Sequence, residues 1–325
     1  MLPEILCSRL VLPVVGAPMF IVSCPDLVVA QCVSGVIGSF PALNARPVSM
    51  LEDWLAEITE RLADHDAAVD GLRKAAPFAV NLIVHRSNAR IEDDLEVCVR
   101  HRVPLVITSL GAREDVNEAV HSYGGIVLHD VTDDRFARKA VERGADGLVA
   151  VAAGAGGHAG ALSPFALVQE IRQWFDGPLL LSGAIAHGRS VLAAQAAGAD
   201  LAYVGSAFIA AREANASPEY KQSVVDSSAS DIVYSNYFTG VRANFLRSSI
   251  ADAGLDPDNL PTTNGQGLDS VSDESKPKAW SKIWGAGQGI GVIDKVESTA
   301  AIVERMRVEY EQAVDSITAA AWVSA

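Results

Sequence analysis

A glycine-dense loop in the middle of the chain presents a single histidine. The segment AAGAGGHAG, residues 152–160, holds His158 on a backbone that can pass close to a ligand, because glycine has no side chain to intervene. Histidine has an unperturbed pKa that suits proton abstraction near neutral pH. The alternative is an incidental surface histidine on a flexible loop. We predict that His158 is a catalytic base, since the loop follows a predicted strand where barrel enzymes place their chemistry.

Polar side chains interrupt two other apolar runs. Asn81 lies inside FAVNLIV, where a buried amide must find hydrogen-bond partners or cost about 1–3 kcal/mol. It either pairs with a neighbouring loop or presents its amide to the edge of a heterocycle. His129 and Asp130 end the run IVLHDV, where a histidine can cap a loop, contact a cofactor or have no role. Position alone favours a structural role for His129.

Three segments of small residues could receive a ligand that carries a phosphate group. GAPMF, residues 16–20, leaves the first apolar run, and its Gly and Ala allow a flat ligand to approach the backbone. SGAIAHG, residues 182–188, and GSAF, residues 205–208, follow the last two runs and expose consecutive backbone N–H groups. Barrels commonly bind phosphate at this pair of loops, so the two segments together predict a phosphate site.

Eight short apolar runs must position these residues, and amphipathic stretches such as DDRFARKAVERG separate them. Such runs are typical of strands buried on both faces, and the stretches between them are typical of capped helices. The predicted strands cover residues 13–17, 36–40, 78–84, 105–110, 126–131, 147–153, 179–185 and 203–208. This alternation predicts an α/β fold, and a (β/α)8 TIM barrel fits it better than a doubly wound open sheet, because polar and glycine-rich residues follow the strands.

The last third of the chain changes in character. Residues 1–211 are predicted to form the barrel, and residues 212–281 a polar helical cap with an irregular excursion near residues 256–277. Residues 282–325 are predicted to return through WGAGQGIG and to end in a helix packed on the barrel. The predicted fold class is therefore a TIM barrel with a C-terminal helical cap or insertion.

Composition limits the partners of the protein. Its formal net charge of −14 favours solubility and disfavours unspecific binding to nucleic acid or anionic lipid. The four cysteines form no CxxC pair and have no histidines at metal-ligand spacing, so we expect no metal site and a reducing compartment. The N-terminal segment lacks a signal-peptide pattern, and no apolar run has transmembrane length. We therefore expect a cytoplasmic protein that is not bound to a membrane.

Taken in order, GAPMF, Asn81, GAGGHAG, SGAIAHG, GSAF and a late GAGQGIG resemble the nitronate monooxygenase family, formerly called 2-nitropropane dioxygenases. The resemblance covers nearly the whole chain and implies an FMN-dependent barrel. The cofactor-binding residues that it implies are Ala17, Pro18, Met19, Asn81, His129, Gly156, Ser182, Gly183, Ala184, Gly205, Ser206 and Gln288. Residues 182–184 and 205–206 would hold the phosphate, and residues 17–19 with Asn81 would line the isoalloxazine. His129 stands where certain relatives have lysine, and Gln288 would reach the cofactor or the substrate pocket.

The reaction implied by the resemblance is the oxidation of alkyl nitronates, with nitroalkanes as further substrates, by O2 to carbonyl compounds and nitrite. His158 would abstract the α-proton of a nitroalkane or, as imidazolium, stabilise the charge of the nitronate. The same fold also suits an NAD(P)H:quinone reductase or an FMN-dependent enoyl-acyl-carrier-protein reductase. A non-catalytic flavin-binding protein is the alternative of another class. The expected partners are thus a small-molecule substrate and O2, and a homo-oligomer is compatible with the fold.

Overall fold

The computed structural model describes residues 2–69, 73–262 and 279–319. Its strands are β1 (Val14–Gly16), β2 (Gly38–Pro41), β3 (Phe78–Ile83), β4 (Leu105–Ser109), β5 (Ile126–Val131), β6 (Gly147–Val151), β7 (Gly157–His158), β8 (Leu179–Ser182), β9 (Leu201–Val204), β10 (Ile232–Ser235) and β11 (Ala243–Leu246). Eight of these are parallel and form one sheet in the order β1-β9-β8-β6-β5-β4-β3-β2. Hydrogen bonds from Gly16 N to Ile37 O and from Ile37 N to Val14 O, 2.7 and 3.1 Å long, join its two edges. The sheet is therefore a closed barrel, which confirms the predicted TIM fold.

Helices cover the outside of the barrel and the tail of the chain. They are α1 (Pro25–Val33), α2 (Val48–Ala68), α3 (Ile91–Arg100), α4 (Glu114–His121), α5 (Asp134–Glu142), α6 (Pro164–Arg172), α7 (Gly188–Ala197), α8 (Ser206–Ile209), α9 (Pro218–Val225), α10 (Arg247–Asp252) and α11 (Thr299–Thr318). Local sequence fixes some of their ends. The carboxylate of Asp133 accepts a hydrogen bond from Phe136 N at the start of α5, and Gly198, in the left-handed conformation, ends α7.

The prediction of a strand over residues 203–208 is wrong in its second half. The strand β9 ends at Val204, and residues 206–209 form the short helix α8 instead. The whole run is apolar because the strand and the helical turn after it are both buried. Composition alone therefore does not separate the two elements.

Side chains of the barrel strands alternate between its interior and the surrounding helices. In β5, Leu128 belongs to the cluster that fills the barrel, whereas Val127 and Val131 belong to clusters outside it. The same alternation places Asp130 on the inner side of β5 and His129 on the outer side. Two residues that are adjacent in the sequence thus have different environments.

The segment predicted as a helical cap contains strands as well as helices. Between α9 and α10, strands β10 and β11 pair in antiparallel fashion, and β11 also pairs with β7. The register sets Ala243 opposite His158, so this small sheet connects the tail of the chain to the loop after β6. Most of the irregular excursion predicted near residues 256–277 lies outside the described residues. The division into domains stays a prediction.

The helix α11 packs against α7 and α1 on the outside of the barrel. Tyr310 Oη donates to Gln195 Oε1 over 2.6 Å, and Gly188 N donates to Glu309 Oε2 over 2.8 Å. Across the described parts of the chain, no helix combines the length and the apolar character that a membrane crossing requires.

Candidate active site

The loop after β6 is held in place by the small antiparallel sheet. Asn244 Nδ2 donates to Ala155 O over 2.6 Å, and Tyr234 Oη donates to Ala159 O over 3.0 Å. The backbone N–H of Ala159 donates to Arg242 O over 3.2 Å. These bonds bracket His158 on both sides, so the glycine-rich loop is fixed where a ligand could meet it.

The imidazole of His158 is shielded from solvent at its reactive nitrogen. Its Nε2 is buried and has no hydrogen-bond partner among the described residues. The ring packs edge to face with Trp280, at a centroid distance of 5.5 Å and an interplanar angle of 87°. Burial lowers the pKa of His158 to about 4, because the charged form loses hydration. The ring is therefore neutral near pH 7 and able to accept a proton.

Backbone groups of three barrel loops and one later segment converge beside this histidine. The carbonyl of Gly154 accepts hydrogen bonds from Ala184 N, at 3.1 Å, and from Gln288 N, at 2.9 Å. Gly287 N donates to Ser206 Oγ over 2.8 Å. The structure thus brings the loops after β6, β8 and β9 together with residues 286–288.

Close packing explains why glycine is needed in this arrangement. A Cβ on Gly156 would lie 2.8 Å from Gly287 N, and a Cβ on Gly287 would lie 2.6 Å from Gly154 O. Real side chains do not approach so closely, so an alanine at either position would push the two segments apart. Gly156 therefore belongs to the same group of residues as the late GAGQGIG segment.

The loop after β1 borders the loop after β9. A Cβ on Gly205 would lie at ordinary contact distances, 3.6 Å from Ala17 Cβ and 3.7 Å from Met19 Sδ. Met19 is fixed by its backbone, since its N–H donates to Ser23 Oγ and its carbonyl accepts from Asn44 Nδ2, each over 3.0 Å. The segment 17–19, which includes Pro18, thus lies beside the predicted phosphate loops.

A chain of polar side chains crosses the inner face of three strands at the barrel mouth. Asn81 Nδ2 donates to Ile107 O over 3.0 Å and to Ser109 Oγ over 2.7 Å. Ser109 Oγ in turn donates to Asp130 Oδ2 over 2.6 Å. Burial raises the pKa of Asp130 to about 6, against the opposing effect of the Ser109 hydroxyl. Asn81 therefore pairs with the neighbouring strand β4 at the barrel mouth, and its contact with a cofactor stays a prediction.

The remaining predicted residues fall in two places. Ser182 ends β8, in register with Val151 and Tyr203, and Gly183 follows it beside Ala153 O. His129 is separate from this group, because its Nδ1 lies 2.6 Å from Thr108 Oγ1 on the side of the barrel that faces the helices. Burial lowers its pKa to about 4.

Five residues of this region, including Asp130 next to the predicted His129, were not predicted as site residues. Ser109 and Tyr203 lie on the inner face of their strands, and a count of alternating positions from the apolar neighbours could have found them. Asn244 and Trp280 come from the tail, and only the pairing of β11 with β7 and the ring contact with His158 reveal them. No group of His, Cys, Asp and Glu side chains within the described ranges could hold a metal ion.

Comparison with known proteins places this site in context. The family model described as nitronate monooxygenase matches residues 5–309. A Mycobacterium tuberculosis protein described as a monooxygenase is 30% identical over 72% of this chain and 66% of its own length. The nitronate monooxygenase of Paraburkholderia phytofirmans is 26% identical over 94% of both chains. A solved nitroalkane oxidase from Streptomyces ansochromogenes has the same fold, with a TM-score of 0.76, 24% identity and coverage of 96% of this chain and 99% of its own.

Proposed function

Because this chain belongs to the nitronate monooxygenase family and is an oxidoreductase, we propose that it binds FMN at the barrel mouth and oxidises alkyl nitronates with O2. In the net reaction two nitronates and one O2 give two carbonyl compounds and two nitrite ions, so that each oxygen atom of O2 ends in one carbonyl compound. The observation that supports this most is the neutral imidazole of His158, whose buried Nε2 has no partner in the described residues. Its loop also takes part in the cradle, defined as the joined backbone groups of Gly154, Ala184, Gly287 and Gln288.

The residues at the mouth fit a flavin. Within the described residues, the buried side-chain atoms without a partner include His158 Nε2, Asp130 Oδ1 and Tyr203 Oη. Such atoms cost about 1–3 kcal/mol each when they stay unpaired, so a ligand with donors and acceptors on its edge suits them. The close approach of Gly156 to Gly287 holds the loop after β6 against the late segment.

The loops offer the parts that FMN requires. Ser182, Gly183, Gly205 and Ser206 would hold the phosphate, since small residues leave backbone N–H groups accessible. Ala184 would border it without donating, because its N–H is bonded to Gly154 O. Ala17, Pro18, Met19 and Asn81 would contact the ring, and Gln288 would approach it from the late segment. When bound, FMN supplies the electron-accepting centre between substrate and O2.

His158 controls the proton. A neutral imidazole accepts the α-proton of a nitroalkane, whereas a preformed nitronate has already lost it. Its lowered pKa argues against the imidazolium role, because the ring is uncharged before the substrate arrives. We therefore propose that His158 is a general base, which is needed most when the substrate is the neutral nitroalkane.

A comparison of two substrates tests this function. FMN-loaded protein is supplied with nitroethane or with ethyl nitronate in air, while O2 uptake and nitrite release are followed. We expect activity on both, and His158→Asn should lower the nitroethane rate by about 10²–10⁴-fold but affect the nitronate far less. Equal losses on both substrates would exclude the base role. A wild type that binds FMN but turns over neither substrate would favour a binding protein in which His158 is a spectator.

A further inference from the structure

The strand β5 presents two titratable side chains in succession at the barrel mouth, and only one of them faces inward. Leu128, two residues before Asp130, belongs to the interior cluster, so Asp130 points into the barrel. His129 points outward, and its Nδ1 is engaged with Thr108 Oγ1. A ligand in the mouth can therefore meet Asp130 but not His129.

Asp130 is held rigidly and is only half satisfied. Ser109 Oγ donates to Oδ2, and Ser109 is itself fixed by Asn81 Nδ2. The other carboxylate oxygen, Oδ1, is buried and has no partner in the described part of the chain. The hydrogen bonds from Asn81 through Ser109 thus orient the carboxyl group of Asp130, and its Oδ1 remains available to a bound ligand.

Other strands face this carboxyl group with uncharged side chains. Tyr203 on β9 is its titratable neighbour, and burial, together with the nearby Asp130, raises the pKa of that phenol far above neutrality. In register with Asp130, β6 presents Val149. The hydroxyl of Tyr203 is also buried and has no partner among the described residues. Among these side chains at the barrel mouth, Asp130 is therefore the one whose charge can change near neutral pH.

We propose that Asp130, and not His129, is the residue of β5 that contacts the ring edge of the bound flavin, where its charge tunes the reduction potential. This inference rests on the proposed function, because it requires a flavin in the mouth. Reduction adds negative charge to the ring, so a carboxylate beside it lowers the potential and a neutral acid does not. The potential of this protein should therefore depend on pH through Asp130.

Two variants at adjacent positions of β5 provide the test. Asp130→Asn keeps an oxygen for the Ser109 hydroxyl but removes the charge, and His129→Gln changes the adjacent residue on the other face. The reduction potential of bound FMN is measured for the wild type and both variants at about pH 5 and about pH 8, on either side of the titration.

At the higher pH we expect Asp130→Asn to have a more positive flavin potential than the wild type. The shift should correspond to an increase of at least about tenfold in the affinity for reduced FMN relative to oxidised FMN. At the lower pH this difference should largely disappear, and His129→Gln should match the wild type throughout. A shift in His129→Gln without one in Asp130→Asn would overturn the inference, as would an Asp130→Asn offset independent of pH. A wild type that binds no flavin would instead overturn the proposed function itself.

Discussion

The rings of His158 and Trp280 meet edge to face, with their centroids 5.5 Å apart and their planes at 87°. The two residues are 122 positions apart in the sequence. The indole helps to keep water from an imidazole whose Nε2 has no partner in the described ranges. A residue from the tail of the chain therefore contributes to the burial that lowers the pKa of a residue in a barrel loop.

This contact predicts a change in the pH dependence of activity. Burial holds the pKa of His158 at about 4, so the rate on a nitroalkane should rise with pH through that value and then level off. Trp280→Leu admits water, and the acid limb should move upward toward the usual histidine value. The measurement is kcat/KM against pH, with Trp174→Leu, on the outside of the barrel, as the control. An unmoved limb in Trp280→Leu would show that the indole does not shield His158.

The contact between Gly287 and the loop after β6 predicts a sharp difference between two glycines of one segment. Gly287→Ala places a Cβ 2.6 Å from Gly154 O, whereas Gly291→Ala meets its neighbours at 3.8 Å or more. We expect the first variant to bind FMN at least about tenfold more weakly, because the cradle must open, and the second to behave like the wild type. Titration of FMN against each variant measures this. Equal affinities in the two variants would contradict the proposed cradle.

The buried position of His129 predicts an acid-sensitive contribution to stability. Its pKa is about 4 in the folded state, below its usual 6.5, so unfolding takes up a proton and stability falls as the pH drops through this range. By this linkage about 2 kcal/mol is lost by about pH 5, and His129→Gln should be free of that loss. Urea unfolding at about pH 7 and pH 5 tests this, with His65→Gln as the control. The idea fails if His129→Gln, like the His65→Gln control, loses as much unfolding free energy between the two pH values as the wild type does.

The bond from Asn244 to the carbonyl of Ala155 predicts a separation of catalysis from cofactor binding. Asn244→Ala leaves a buried carbonyl without its donor, at a cost of about 1–3 kcal/mol in unfolding free energy. Because the bond supports the loop near His158, kcat should fall several-fold, while FMN affinity changes less. Urea unfolding, kcat and FMN titration together check this. Unchanged stability and kcat would mean that the small sheet does not position the histidine.

The barrel could be predicted from the sequence because its strands are buried on both faces. Runs such as residues 78–84 and 105–110 are mostly apolar and lie between amphipathic helices, which leaves few alternative folds. The end of the last run was mistaken because α8 is as buried as the strand before it. Burial therefore identifies that a segment is internal, but not which regular structure it adopts.

The candidate site was predictable where it depends on local sequence. His158, Gly156 and the loops after β8 and β9 follow predicted strands, so their shared location at the barrel mouth could be inferred. It was not evident which of His129 and Asp130 points into the barrel. Both fit the end of the same strand, and only the register decides which side chain faces inward. Trp280 could not be found, since no local pattern predicts the contact of a tail residue with His158.

In the proposed reaction a flavin at the barrel mouth takes electrons from a nitronate. The most direct measurement is the visible spectrum of FMN-loaded protein in the absence of air, recorded after addition of propyl nitronate and, separately, of NADH. We predict that the nitronate bleaches the flavin band and that NADH does not. Bleaching by NADH alone would contradict this account and assign the protein to the reductases that share its fold, and a protein that cannot take up FMN would remove its cofactor altogether.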